Sequence, residues 1–397
     1  MRIINRNIFP ELLKALPDQR VIVITGMRRV GKTTTVRWLL DQVPSDNKLY
    51  MDLERLDQRA VFDVENYDVI LNYFRNLGLS IDQPLTVALD EIQNVKNIPS
   101  VVKYLSDHYP IKFILTGSSS FYLKNLFTES LAGRKIVFEL FPLSFGEFLE
   151  FQDIPYRKRE SLDEMRYDPL EYQRLSAFYE DFVSFGGLPG VVLEPKVKVK
   201  REILNDIFTS YINIDVRVMA DFRKISELKV LLKALTARIG NKLDLSKLSQ
   251  IIGISRPTLY EYLEFLEKTY IIYRLPAYAG IDKSITLGKK LYFYDNGIAS
   301  ILGNPGDGAL FENAIFNQLR GYGELAYLNK TNRFEIDFIL FPQGDSPTAL
   351  EVKYHPTEMD ELKLKRIAQE HGLQRSWLIG RHATPAFDHF LWGGLIF

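Results

Sequence analysis

The 397-residue chain contains no cysteine. That absence excludes disulfide staples, thiolate zinc sites, cysteine nucleophiles and cysteine-held iron–sulfur clusters. Histidine is scarce as well: the five present never fall in an HxxxH or HxH arrangement, so no histidine-rich metal centre is expected. Net charge is missing too. Fifty Lys and Arg cancel fifty Asp and Glu, which argues against attraction of the whole protein to nucleic acid but leaves local patches open. No apolar run approaches the ~18–20 residues of a membrane helix. The opening MRIINRNIFPELLKAL has no continuous apolar segment of signal length, so a cytoplasmic protein is expected. Repeats and low-complexity stretches are also absent, and a chain this long usually divides into two or three domains.

What is present begins at VIVIT, residues 21–25, a run too short and too β-branched for a helix. GMRRVGKT follows at 26–33 and fits G-x-x-x-x-G-K-[ST] at every specified position; TTVRWLLDQV then continues as a helix with an apolar stripe. Strand, glycine loop and helix N-terminus together make a phosphate cradle. Gly26, Met27, Arg28, Arg29, Val30, Gly31, Lys32, Thr33 and Thr34 are therefore the candidate ATP-binding residues. Lys32 is placed for the β- and γ-phosphates and the Thr33 hydroxyl for Mg²⁺.

A second apolar run, LTVALDEI at 85–92, ends in two carboxylates. Asp90 suits Mg²⁺ through water, and Glu91 is placed to orient or deprotonate an attacking water. A third, IKFILTGSSS at 111–120, ends in small hydroxyl residues. Ser118 is the candidate for sensing the γ-phosphate or holding the lytic water, with Thr116 and Ser119 as competitors. In a parallel sheet these strand ends share the carboxyl edge. Arg134, after a glycine in SLAGRK, is the candidate charge-neutralising arginine, in cis or from a neighbouring copy. No N-K-x-D element for reading guanine appears, since NVKN at 94–97 lacks the aspartate; ATP is the expected nucleotide.

The order of these motifs resembles the AAA+ branch of P-loop ATPases. With FPLSFGEFLEF at 141–151 and FVSFGGLPG at 182–190, the chain resembles a prokaryotic AAA+ family whose members carry a winged helix and a C-terminal nuclease-like domain. That family's loop commonly reads GPRQVGKT; Met27 and Arg29 replace its Pro and Gln here. The resemblance implies an α/β architecture: an AAA+ core with a parallel sheet over 1–150, a helical lid or linker over 151–221, a winged helix over 222–298 and a nuclease-like α/β domain over 299–397. In the linker, Arg201 and Arg217 are further phosphate candidates that the sequence does not rank. Homo-oligomerisation, a protein partner and DNA all stand as expected classes of partner.

For the winged helix the residues speak directly. Ser255 caps a helix with Pro257 in its first turn, and Leu259, Leu263 and Leu266 supply a buried stripe. IIYRLPAY and KKLYFYD would form the wing. Nine basic against six acidic residues between Asp221 and Tyr270 leave a surplus of three, thin for a groove reader. Nearer the C-terminus, Glu312 lies on a helix, Asp337 in the strand RFEIDFILF, and Glu351 and Lys353 two apart on one face of PTALEVKYH. Carboxylates converging from neighbouring strands, with Glu312 added, would suit Mg²⁺ or Mn²⁺, and Lys353 would position a water or offset phosphate charge. This arrangement resembles the PD-(D/E)xK nuclease superfamily, although Ile336 replaces the proline before the aspartate.

Overall fold

A computed structural model describes residues 3–117, 133–159, 161–216, 225–278, 287–330, 334–342, 344–382 and 390–397. Ser118, Ser119 and Arg217 lie outside the described residues. The chain divides into two compact units, 1–141 with 268–270, and 142–267 with 271–397.

The first unit is built on five parallel strands, β1 (Val21–Gly26), β2 (Lys48–Asp52), β3 (Leu85–Asp90), β4 (Ile111–Gly117) and β5 (Lys135–Leu140), in the order β2-β3-β4-β1-β5. β1 and β3 are buried along their whole length. This is why they read as unbroken apolar runs rather than alternating ones, as strands covered on both faces do. Val21, Val23, Val87, Leu89, Phe113 and Leu115 join Phe62, Phe74 and Leu105 of the surrounding helices in one core. Helix Lys32–Asp41 inserts Val36, Leu39 and Leu40 as its buried face. Parallel pairing gathers Gly26, Asp90 and Gly117 at one edge of the sheet. The same pairing sets Val21 beside Lys135 at the other.

In the second unit, Ser144 and Glu147 form a reciprocal capping box that starts helix Phe145–Phe151. Helices Ile225–Thr236, Leu245–Ile252 and Arg256–Lys268 precede the antiparallel pair β6 (Ile272–Leu275) and β7 (Lys290–Phe293), a winged-helix-like arrangement. Ser255 Oγ accepts from the Thr258 amide at 3.2 Å, and Leu259, Leu263 and Leu266 are fully buried. Helix Asp307–Leu319 leads into a second sheet of β8 (Gly323–Lys330), β9 (Phe334–Pro342), β10 (Thr348–Lys353), β11 (Arg375–Gly380) and β12 (Phe390–Trp392), in sequential order. Its first three strands run antiparallel and its last three parallel, with helix Glu358–Glu370 crossing between β10 and β11.

A buried amide seam joins the wing to helix Asp307–Leu319. Asn313 accepts from the Phe293 amide at 2.7 Å and donates to the Phe293 carbonyl at 3.0 Å. It also donates to Asn296 Oδ1 at 2.7 Å. Asn296 in turn donates to the carbonyls of Val183 and Leu310, each at 2.8 Å.

Candidate functional site

The glycine loop leaves β1 at Gly26 and enters its helix at Gly31, which adopts a left-handed φ of 104°. Gly26 has a different reason to be glycine. A Cβ there would lie 2.1 Å from the Leu140 carbonyl oxygen on β5, so the sheet itself forbids a side chain. At Gly31 the nearest atom to an added Cβ is Arg6 Nη1 at 3.7 Å; the backbone angle, not space, requires glycine. Met27 and Val30 are buried anchors, whereas Arg29, at φ 66°, is exposed. Lys32 is buried and donates to the carbonyls of Gly26 at 3.0 Å and Met27 at 3.1 Å. Its ammonium is thus held inside the curl of the loop, where β- and γ-phosphate oxygens are expected.

Three hydroxyls converge on Asp90, itself buried. Thr33 Oγ1 donates to Oδ2 at 2.6 Å, Tyr50 OH donates to the same oxygen at 2.8 Å, and Thr116 Oγ1 donates to Oδ1. Burial and the neighbouring Asp90 carboxylate hold the Tyr50 phenol well above its ordinary range, so it stays a donor. Thr116 also accepts from the Glu91 amide at 3.1 Å. Glu91 takes a left-handed backbone, φ 54° and ψ 50°, an uncommon conformation for a residue with a side chain. Gln93 donates to its carboxylate. The hydroxyl–carboxylate pair Thr33–Asp90 is a hard-oxygen donor set of the kind Mg²⁺ takes, so the residues present fit that ion.

Arg134 stands elsewhere. Its carbonyl accepts from the Val21 amide at 2.8 Å, at the start of β1, and its guanidinium pairs with Asp107 at the surface. Five strand steps, roughly 16 Å, separate it from the glycine loop of its own chain. That edge of the sheet is the one remote from the phosphates. Arg201 is an exposed residue of helix Val197–Ser210 in the second unit. Arg6, which carried no signal in the sequence, is buried and holds the Val30 carbonyl at 3.1 Å and the Phe141 carbonyl at 2.7 Å.

The C-terminal carboxylates do come together, but around a cation that carried no signal of its own in the sequence. Lys290, in the wing strand β7, has 1% of its side chain exposed. Its Nζ lies 2.6 Å from Glu335 Oε1, 3.1 Å from Asp337 Oδ1 and 4.0 Å from Glu312 Oε1. Asp337 Oδ2 accepts from the Val352 amide at 3.0 Å, Glu312 Oε1 from Tyr292 OH at 2.7 Å, and Lys353 pairs with Glu351 at 2.7 Å. Burial opposes the Lys290 charge, yet Asp337, Glu312 and Glu335 outweigh it and hold the ammonium above its ordinary range. Burial first, then Asp337, pushes Glu312 and Glu351 up to about 7. Among the described residues no group of three or more His, Asp or Glu is arranged to hold a metal. Of the residues expected to hold Mg²⁺ or Mn²⁺, Asp337 and Glu312 therefore face the Lys290 ammonium and Glu351 faces Lys353.

With this geometry established, comparison with known proteins gives three family profiles. One, described as an AAA domain, matches residues 18–149; two described as domains of unknown function, DUF8612 and DUF4143, match 177–307 and 307–385. Uncharacterized protein MJ1544 of Methanocaldococcus jannaschii is 30% identical over 371 residues, 91% of this chain and 79% of that one. An uncharacterized protein of Haemophilus influenzae is 25% identical over 347 residues, 84% of this chain and 82% of the relative. Solved structures with some likeness include the Aeropyrum pernix ORC1 protein in complex with DNA, at 12% identity and a TM-score of 0.34 over 76% of this chain and 92% of that chain. AMPPCP-bound DnaA from Aquifex aeolicus is another, at 17% identity and a TM-score of 0.30 over 67% of this chain and 89% of that chain. No helix among the described residues is long and apolar enough to cross a membrane.

Proposed function

The chain belongs to the family of the Methanocaldococcus jannaschii protein MJ1544 and carries an AAA domain over residues 18–149, and from that premise we propose that it is a Mg²⁺-dependent ATPase whose nucleotide state sets the placement of its winged-helix and C-terminal modules. The observation that carries the reading is the junction of Thr33, Asp90 and Glu91: loop hydroxyl, metal-type carboxylate and candidate base meet at one sheet edge beside Lys32.

Each residue then has a task. Lys32 exchanges its two loop carbonyls for phosphate oxygens, and loop amides from Gly26 to Thr34 line the cradle. Thr33 and Asp90 would hold Mg²⁺, which when bound offsets negative charge on the phosphates. Tyr50 and Thr116 keep Asp90 oriented by donating to its two oxygens. Glu91 accepts the proton of an attacking water, or orients that water, once Gln93 releases its carboxylate. Ser118 is retained as a γ-phosphate contact. Arg134, placed where it cannot reach its own loop, contributes only by reaching the nucleotide of a neighbouring copy, so its role requires self-association.

The four-part organisation at 1–150, 151–221, 222–298 and 299–397 belongs to this proposal, as does a PD-(D/E)xK-like ancestry for the last part. DNA cleavage gains no support from the Lys290-filled cluster, and no step is assigned to it. A protein or DNA partner met through the winged helix is the favoured output, with Tyr260 exposed on its last helix. The test is ATP binding and phosphate release by the purified protein with and without DNA. Lys32→Ala should lose both binding and turnover, and wild-type-like turnover in that variant would remove the assignment.

A further inference from the structure

The nucleotide site uses neither Lys290 nor the carboxylates around it, and this cluster carries an inference of its own. Lysine is among the side chains least often buried. Here one is sealed by the fold, entering from the wing strand β7 rather than from the sheet whose carboxylates it meets. Its partners come from separate elements: Glu312 from helix Asp307–Leu319, and Glu335 and Asp337 from β9. Continuing the β9–β10 register by one residue beyond Leu350 and Phe338 sets Glu351 opposite Asp337, on the same face.

We propose that the Lys290 ammonium is a built-in counter-ion that occupies the place a divalent metal would take among Glu312, Asp337 and Glu351, and thereby makes this region a metal-free clamp for the wing. A hard divalent ion demands oxygens at about 2.0–2.2 Å in a compact shell. Asp337 presents one oxygen to Lys290 and the other to the Val352 amide, so a metal taking the first oxygen would have to lie against an ammonium. The Glu312 oxygen nearest Lys290 is also the acceptor for Tyr292, another residue of β7. Lys353 faces Glu351. The three inner carboxylates thus meet two ammoniums, of which Lys290 is shared with Glu335, and two neutral donors, all supplied by the chain itself. Because the Lys290 side chain is sealed, it can leave only if β7 shifts. Metal entry and wing docking are mutually exclusive states of one piece of structure.

The test uses the full chain carrying Thr33→Ala, which disables the metal site of the ATPase core and keeps the outcome independent of the nucleotide reading. Mn²⁺ binding without nucleotide is followed by electron paramagnetic resonance and by calorimetry. With Lys290 present, no Asp337-dependent Mn²⁺ should bind at millimolar concentration. Lys290→Met, similar in volume and uncharged, should gain about one Mn²⁺ that Asp337→Asn removes, and should melt at a higher temperature when Mn²⁺ is added. Mn²⁺ bound to the Lys290-containing protein and lost on Asp337→Asn overturns the proposal. So does a folded Lys290→Met protein that takes up no Mn²⁺. If Lys290→Met fails to fold, the comparison between Lys290-containing protein and its Asp337→Asn variant still decides.

Discussion

The two glycines of the nucleotide loop should fail in different ways when each is changed to alanine. At Gly26 the added methyl would sit 2.1 Å from the Leu140 carbonyl oxygen, a backbone atom that yields only if β5 moves off β1. Overpacking of this kind costs about 1–3 kcal/mol. The backbone at φ 154° adds a conformational cost, typically about 1–3 kcal/mol. Together they remove roughly 2–6 kcal/mol from a domain whose total is about 5–15 kcal/mol. At about 2–4 °C per kcal/mol, the core should melt on the order of 10 °C lower. At Gly31 the methyl meets nothing nearer than Arg6 Nη1 at 3.7 Å, leaving the conformational cost at φ 104° alone. Its melting temperature should fall by about half as much, while the misdirected loop amides lose ATP. Calorimetric melting and fluorescent-ATP titration of both variants make the comparison. A Gly26→Ala protein that melts with the wild type would refute the close β1–β5 approach. A Gly31→Ala protein with unchanged ATP affinity would refute the role of that turn.

Glu91→Gln should retain ATP and lose turnover by roughly 10²–10⁴-fold if the carboxylate is the general base; parallel losses of binding and turnover would mark a structural role instead. Arg134→Ala should keep its ATP affinity, and mixing it with Lys32→Ala protein should restore phosphate release at concentrations that allow assembly. Absence of any rescue there would remove Arg134 from the catalytic set. Glu312 and Glu351, held up to about 7 chiefly by burial from an ordinary value of 4.5, keep protons in the folded state that the unfolded chain has released. Their contribution to stability therefore falls as pH rises from 4.5 to 7 and levels off above. Glu312→Gln should flatten that part of a urea-unfolding pH profile, and an unchanged slope would contradict the burial argument.

Legibility of these features followed sequence distance. The loop and DEI could be read because each packs its chemistry into consecutive residues behind an apolar strand. Tyr50 escaped notice because β2 opens with Lys48 and closes with Asp52, leaving no apolar run to announce a strand. Arg134 reads as a charge-neutralising candidate, but the end of the sheet on which it stands depends on the parallel β1–β5 pairing, a contact between segments more than a hundred residues apart. The same limit hid Lys290: its partner Asp337 is 47 residues away, and nothing local separates it from neighbouring Lys289. The winged-helix stripe was readable for the opposite reason, since the Ser255 cap and Leu259, Leu263 and Leu266 lie within one short helix.

Asn313 imitates a strand. Its side-chain amide offers the Phe293 peptide an acceptor and a donor, as the backbone of an adjoining strand would, and its remaining donor reach goes to Asn296. The consequence concerns ancestry. A recombination joint placed between the wing and helix Asp307–Leu319 would leave Phe293 with buried, unpaired peptide groups in one product and a buried, unpaired carboxamide in the other. A protein that exchanged the winged helix without the C-terminal ninety or so residues should lose about 1–3 kcal/mol for each group left unpaired, a cost that weighs against separating the two segments.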